Sequence, residues 1–160
     1  QMITIHGRTR CQFYKGAANW SAISTVKAAV AIPVIANGDI VDITSARTAL
    51  AQSGADGLMV GRGAQGAPWR LAEIAAALHG TPAPQIPTGA ALADLVTDHY
   101  DQILAFYGTD LGVKVARKHL GWYLEAAGAQ THRDAILTAR DPVVVMALLR
   151  DSFADRQVAA

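Results

Sequence analysis

Several classes of protein are excluded by what this chain has little of. Its 160 residues include one cysteine, Cys11, so no disulfide forms within it, and a lone thiol suits a reducing cytosol. No run of about 18 apolar residues is available to span a bilayer, and no basic-then-apolar leader opens the sequence. Charge is sparse, at 17% of residues, and nearly balanced at +1, which withholds the broad basic field of a dedicated nucleic-acid-binding domain. Neither a GxxxxGK[ST] phosphate loop nor a GxGxxG opening a helix is present. The five histidines show no metal-ligand spacing, so no metal is expected. His79, His99 and His132 are expected on helix surfaces or in satisfied core positions. Gln1 adjoins the first apolar stretch with no initiator Met, and the chain is expected to be a piece of a larger protein.

What is present is apolar: 51% of the residues, enough to bury a core. The charge is also uneven. Residues 1–89 hold seven Lys/Arg against four Asp/Glu, and residues 90–160 hold seven against nine.

The order of elements follows from periodicity. Residues 2–6 alternate as a strand, and 18–29 carry Trp20, Ile23, Val26 and Lys27 at helical spacing. "IPVIANGD" (32–39) predicts a second strand. "DITSARTALAQSG" predicts a helix with Asp42 as N-cap and Gly54 past its end. "ADGLMVGRGAQG" (55–66) predicts a third strand, and "PWRLAEIAAALHG" a third helix, with Pro68 near its first turn and Gly80 closing it. This βαβαβα order with short apolar strands implies right-handed crossovers and a parallel sheet over residues 1–80. "TPAPQIPTG" (81–89) reads as a stiff linker. Residues 90–160 read as about four helices: one carrying Leu92, Leu95, Val96, His99, Tyr100, Ile103 and Leu104 on one face, one over 110–127, a short one near His132, and one capped by Asp141.

All three strands end in polar, glycine-bearing segments: "HGR" (6–8), "NGD" (37–39) and "GRG" (61–63). Ligands in parallel α/β folds sit at the carboxyl ends of strands, and glycine lets backbone approach a ligand closely. Any one of these segments alone reads as an ordinary turn. Three in succession point to a site, with Arg62 suited to phosphate. On the predicted helix at 110–127, Lys114, Arg117, Lys118 and Gly121 fall on one narrow stripe. Spacing alone fits a solvated face and a phosphate-binding face equally, and Trp122 and Tyr123 fit the core or an interface.

These residues resemble a known family. "HGRTRCQFYKGAANW" is similar to the sixth-strand segment of the tRNA-dihydrouridine synthases, "IPVIANGDI" to their seventh, "GADGLMVGRGAQGAPW" to their eighth, and "KVARKHLGWYL" to part of their C-terminal helical domain. The likeness is greatest to the bacterial B-type branch. It implies the C-terminal part of a (β/α)8 TIM barrel, three βα units, followed by a four-helix-type bundle. It further implies an FMN-dependent oxidoreductase that uses NADPH to reduce uridine in tRNA, in the cytoplasm. His6, Asn37, Gly38, Asp39, Gly61 and Arg62 would bind FMN, and Arg117 and Lys118 would bind tRNA. In the family a cysteine on an early barrel loop protonates the base. Cys11 does not match that motif, so no catalytic residue is assigned and the isolated piece is expected to be inactive. A barrel lacking five strands leaves sheet edges open and is expected to self-associate. Two other readings remain: a different FMN- or phosphate-binding barrel enzyme, and a non-catalytic helical module for RNA or protein.

Overall fold

Three strands, β1 (Ile3–His6), β2 (Val34–Asn37) and β3 (Gly57–Met59), form a parallel sheet in the order β1-β2-β3 in the computed structural model of the chain, which describes residues 1–13 and 15–154. Register aligns His6 with Asn37 and Asn37 with Met59, so all three strands run out at one edge of the sheet. Partners in a parallel ladder share a face. Ile5, Ala36 and Leu58 therefore point one way, and His6, Asn37 and Met59 the other.

The first face is covered by helices α1 (Ser21–Ala29), α2 (Ile43–Ser53) and α3 (Arg70–His79). Ile23, Val34 and Ala36 make one buried cluster, supported by Ile5, Trp20 and Leu58. Ile40, Ala46, Ala49 and Ile74 make a second, with Leu58, Val60 and Leu78 against it. Complete burial of Val34 and Ala36 beside half-exposed Ile35 and Asn37 is the period of two expected of a strand covered on one side.

Local signals place most of the element ends. Asp42 accepts the Ser45 amide at 2.6 Å while the Ser45 hydroxyl takes the Asp42 N–H, a reciprocal cap for α2. Gly54 and Gly80 close α2 and α3 in the left-handed conformation. Two boundaries differ from the sequence reading. Helix α1 begins at Ser21 rather than near Ala18; residues 18 and 19 are instead tied to the strand-end segments, the Ala18 amide donating to the Asp39 carboxylate and the Asn19 amide to the Gly7 carbonyl. Helix α3 begins at Arg70 with Trp69 as its cap, so Pro68 precedes the helix instead of opening it.

Four helices follow: α4 (Gly89–Tyr107), α5 (Thr109–Ala126), the six-residue α6 (Arg133–Thr138) and α7 (Pro142–Phe153), the last capped by the Asp141 carboxylate on the Val143 amide at 2.9 Å. Their core is built from Leu92, Val96 and Tyr100 of α4, Ala116, Leu120 and Leu124 of α5, Ile136 of α6, and Val145, Leu149 and Phe153 of α7. Gly112 lets α5 turn back tightly on α4, since a Cβ there would lie 3.0 Å from Leu104. The chain divides into two compact units, residues 1–64 with 68–84 and residues 65–67 with 85–160; the change between Pro84 and Gln85 falls in the proline-rich stretch. Among the described residues no helix is long and apolar enough to cross a membrane.

Neither outer edge of the sheet, on β1 or on β3, meets another strand among the described residues, and Met2 (68% exposed) and Met59 (52% exposed) stand open beside them. Unpaired edges next to apolar side chains favour strand-to-strand association. The 160-residue chain is therefore expected to show a mass that rises with loading concentration in size-exclusion chromatography with light scattering, and Met59→Lys to lower it. A monomer at every concentration would contradict this.

Candidate functional site

The polar segments predicted as a site converge because of the strand register. At the edge where β1, β2 and β3 end, Gly7 donates to the Asn37 carbonyl at 2.8 Å and the Asn37 side-chain amide donates to the Met59 carbonyl at 2.7 Å. The Arg8 amide donates to His6 Nδ1 at 2.9 Å, which fixes the imidazole over its own strand end. Asp39 follows with a left-handed backbone (φ 52°), and Arg62 is close enough for its charge to favour ionised Asp39. His6, Asn37, Asp39 and Arg62 are thus brought to one end of the sheet.

The connection between them is a side chain that the sequence reading did not single out. The Arg8 guanidinium, 5% exposed, meets both carboxylate oxygens of Asp39, at 2.8 and 2.5 Å. It also donates to the Lys15 carbonyl at 3.2 Å and the Gly16 carbonyl at 2.6 Å. Asp39 accepts the Ala18 amide at 2.8 Å in addition. The Trp20 indole donates to the Gly38 carbonyl at 2.8 Å. A planar guanidinium is suited to this task because its donors form a rigid fork that matches a carboxylate. The Arg8 hydrogen bond, ahead of every other influence, holds the Asp39 carboxyl below its ordinary value. Asp39 therefore acts through Arg8, and its carboxylate is already engaged by the protein.

The glycines divide by role. Gly38 has φ 115° and a Cβ there would lie 3.0 Å from Ala18 Cβ and 3.2 Å from His6, so both conformation and packing require glycine. At Gly61 neither requirement holds: a Cβ would meet nothing within 4 Å and φ is not in the left-handed range. A ligand lying against the backbone at that point would account for glycine there. The neighbouring Arg62 is exposed and opens a single 3-10 turn, Arg62–Ala64. This donor set, an exposed guanidinium beside an open backbone strip, fits a phosphate-bearing ligand.

Beside β1 lies a cleft of about 340 Å³ lined by His6, Arg8, Thr9, Arg10 and Phe13. Thr9 and Gln12 cap each other there, Phe13 is left-handed (φ 48°) and 73% exposed, and Cys11 is a free, exposed thiol. Arg10 and Phe13 were not among the predicted site residues. Nothing in their spacing marks them, because their placement depends on the Arg8 anchor. Tyr14, part of the same motif, lies outside the described residues.

In the helical unit, α5 presents Lys114 and Lys118 as exposed cations, with Arg117 half-buried between them. Gly121 belongs to a different environment from the one its place on the stripe suggested: a Cβ there would face Leu137 of α6 at 3.9 Å, so this surface receives a helix. Tyr123 is buried, its hydroxyl 3.1 Å from His99 Nδ1, while the His119 ring meets both the His99 and Trp122 rings edge-on. Burial first, and the His119 charge second, pull the His99 pKa down; burial pushes that of Tyr123 up. His132 pairs with Asp151 at 2.7 Å. No cluster of three or more His, Cys, Asp or Glu able to hold a metal occurs among the described residues.

Comparison with known proteins gives a consistent result. A profile of the dihydrouridine synthase (Dus) family matches residues 1–157. A probable tRNA-dihydrouridine synthase of Rhodobacter capsulatus is 60% identical over 159 residues, 99% of this chain and 49% of that protein. A protein of the same description from Rickettsia conorii is 50% identical over 91% of this chain and 44% of its own length. The tRNA-dihydrouridine synthase B of Vibrio cholerae is 49% identical over 78% of this chain and 39% of its own. The chain spans about half the length of the curated relatives it matches.

The Arg8–Asp39 pair sets a measurable pH window. Asp39 has a lowered pKa in the folded state, so the unfolded chain binds the proton more tightly, and the stability that the pair supplies is lost as the pH falls through that lowered value. Asp39→Asn, which leaves a nearly buried guanidinium without its counter-charge, is expected to cost about 3 kcal/mol near neutrality. In denaturant titrations the gap between wild type and variant should stay constant above about pH 5 and close progressively below about pH 4. A gap that persists unchanged in acid would show that the pair contributes nothing through its charge.

Proposed function

Since the chain belongs to the dihydrouridine synthase family, we propose that it is the C-terminal part of an FMN-dependent tRNA-dihydrouridine synthase, comprising three βα units of a (β/α)8 barrel and a helical tRNA-binding region. The parent enzyme would reduce uridine to 5,6-dihydrouridine in tRNA, with NADPH as reductant, in the cytoplasm. The observation that carries the FMN assignment is Gly61, a glycine that no protein contact demands, next to exposed Arg62 at the open end of a parallel sheet.

The roles of the residues follow from their positions. Arg62 holds the FMN phosphate by charge, and the backbone at Gly61 lies against the ligand. His6 and Asn37 lie at the end of the sheet and on the face away from the helices, which in a closed barrel is the interior. Gly38 and Asp39 complete the NGD turn, in which Asp39 steadies Arg8 and through it the loop after β1. When bound, FMN supplies the hydride for the uracil ring, and the base must be out of its stack to receive it. No residue of this chain is assigned the accompanying proton transfer, so the chain alone is expected to be inactive. Arg117 and Lys118 of α5 contact tRNA phosphates.

Two measurements test the reading. FMN fluorescence should be quenched saturably by the chain, and Arg62→Ala should weaken binding about tenfold or more, the scale of one charge-assisted contact. Quenching that is absent, or unaffected by Arg62→Ala, would remove FMN from these strand ends. For the helical region, the double variant Arg117→Ala with Lys118→Ala should weaken tRNA binding and flatten its dependence on salt by about two phosphate contacts. An unchanged salt slope would take this pair out of the interface.

A further inference from the structure

The turn between α4 and α5 opens into a pocket of about 280 Å³ lined by Thr109, Asp110, Val113, Lys114, Arg117 and Arg140. Three cations face one carboxylate there. None of the three has an ion-pair partner among the described residues. Asp141, next in sequence to Arg140, caps α7 and forms no ion pair with Arg140 among the described residues. The Nε of Arg117 is shut from solvent without a hydrogen-bond partner, as is the hydroxyl of Tyr100 on α4, which feels the charges of both Arg117 and Asp141. A buried donor is costly to leave unmade, and of these two Arg117 lines the pocket, so its Nε points to an acceptor from outside the chain. The first turn of the 18-residue α5 also lines the pocket, and its Gly108 cap provides no side-chain acceptor, which adds a favourable dipole for an anion.

We infer that this pocket binds a backbone phosphate of RNA, with Arg140 and Lys114 as its exposed cations and Arg117 as its inner one. The inference rests on the proposed tRNA-binding role of α5 and extends it to Arg140, which comes from the connection between α6 and α7 and shares no helix stripe with Arg117. Two aromatic side chains favour a nucleic acid over a small anion. Phe106 (81% exposed) and Tyr107 (46% exposed) end α4 immediately before Gly108, with ring centroids 4.8 Å apart. Exposed rings at the end of α4, two and three residues before Thr109 of the pocket wall, suit an unpaired base near a bound phosphate.

The test is the salt dependence of tRNA binding by the 160-residue chain, measured by fluorescence anisotropy for wild type, Arg140→Gln, Lys114→Gln, Arg140→Lys and Lys118→Gln. Arg140 and Lys114 are exposed, so their variants should keep the wild-type circular dichroism. Arg140→Gln and Lys114→Gln are each expected to lower affinity about three- to tenfold at low salt and to reduce the log–log slope by about one, with Arg140→Lys retaining the wild-type slope. If Lys118→Gln reduces the slope while Arg140→Gln and Lys114→Gln do not, the pocket is overturned and the α5 reading stands. If the wild-type chain binds tRNA with no salt dependence, both fall. If inorganic phosphate at constant ionic strength raises the melting temperature of wild type but not of Arg140→Gln, with identical tRNA slopes, the pocket belongs to a small free anion and the backbone assignment is overturned.

Discussion

The strand-end site depends on one ion pair. Arg8 and Asp39 stand 31 residues apart in sequence, at the ends of neighbouring strands, and their bidentate contact joins the segment after β1 to the turn after β2. Because the same guanidinium also reaches the Lys15 and Gly16 carbonyls, it gives the loop a fixed return path to the sheet. The Ala18 amide on Asp39 and the Asn19 amide on Gly7 complete the closure. A nearly buried guanidinium tolerates no partial arrangement: without its carboxylate it would be an uncompensated charge in a poorly solvated place. The His6 imidazole, the exposed Arg10 and Phe13, and the cleft between them all take their positions from this closure.

Packing at the strand ends also separates the glycines that serve the fold from one that no internal contact accounts for. Gly7 and Gly38 are pressed against Ala18, where added Cβ atoms would lie at 2.9 and 3.0 Å. Gly63 is pressed against the Ile40 carbonyl, where a Cβ would lie at 2.3 Å. These three are consumed by internal packing of the segments that follow β1, β2 and β3. Gly61 is not, and it adjoins the one arginine of its segment. A count of glycine-bearing motifs thus overstates the ligand-facing backbone, and the steric surroundings of each residue separate the two uses.

How much was legible in the sequence follows the range of the interactions involved. Asp42, Gly54, Gly80 and Asp141 act within a few residues of themselves, and their caps stand where local rules place them. The parallel order of the three strands was legible from the helices between them. The start of α1 was not, since Ala18 and Asn19 are held to the strand-end segments by partners 21 and 12 residues away, which no local rule reveals. At the site, motif grouped His6, Asn37, Asp39 and Arg62, and the strand register with the turns that follow it brings them to one end of the sheet. The role of Arg8 was invisible because nothing local to it mentions Asp39. On α5, helical spacing grouped Gly121 with the cations. Only the position of α6 shows that Gly121 faces Leu137 while Arg117 turns toward Arg140 and the pocket.

The sparse overall charge takes on a different meaning with the pocket in view. A net charge of +1 offers little long-range attraction for RNA. Affinity would then have to come from a few cations at close quarters, and those work best when no carboxylate of the chain competes for them. The helical unit goes part of the way toward that condition: Asp141 serves as a cap, Asp151 pairs with His132, and Asp134 lies against Arg133. Lys114, Arg117 and Arg140 are left with Asp110 alone on the pocket wall. A modest number of positive charges can therefore act as a localised phosphate site even within a segment whose acidic residues outnumber its basic ones, because pairing, not the sum, determines which charges an incoming anion meets.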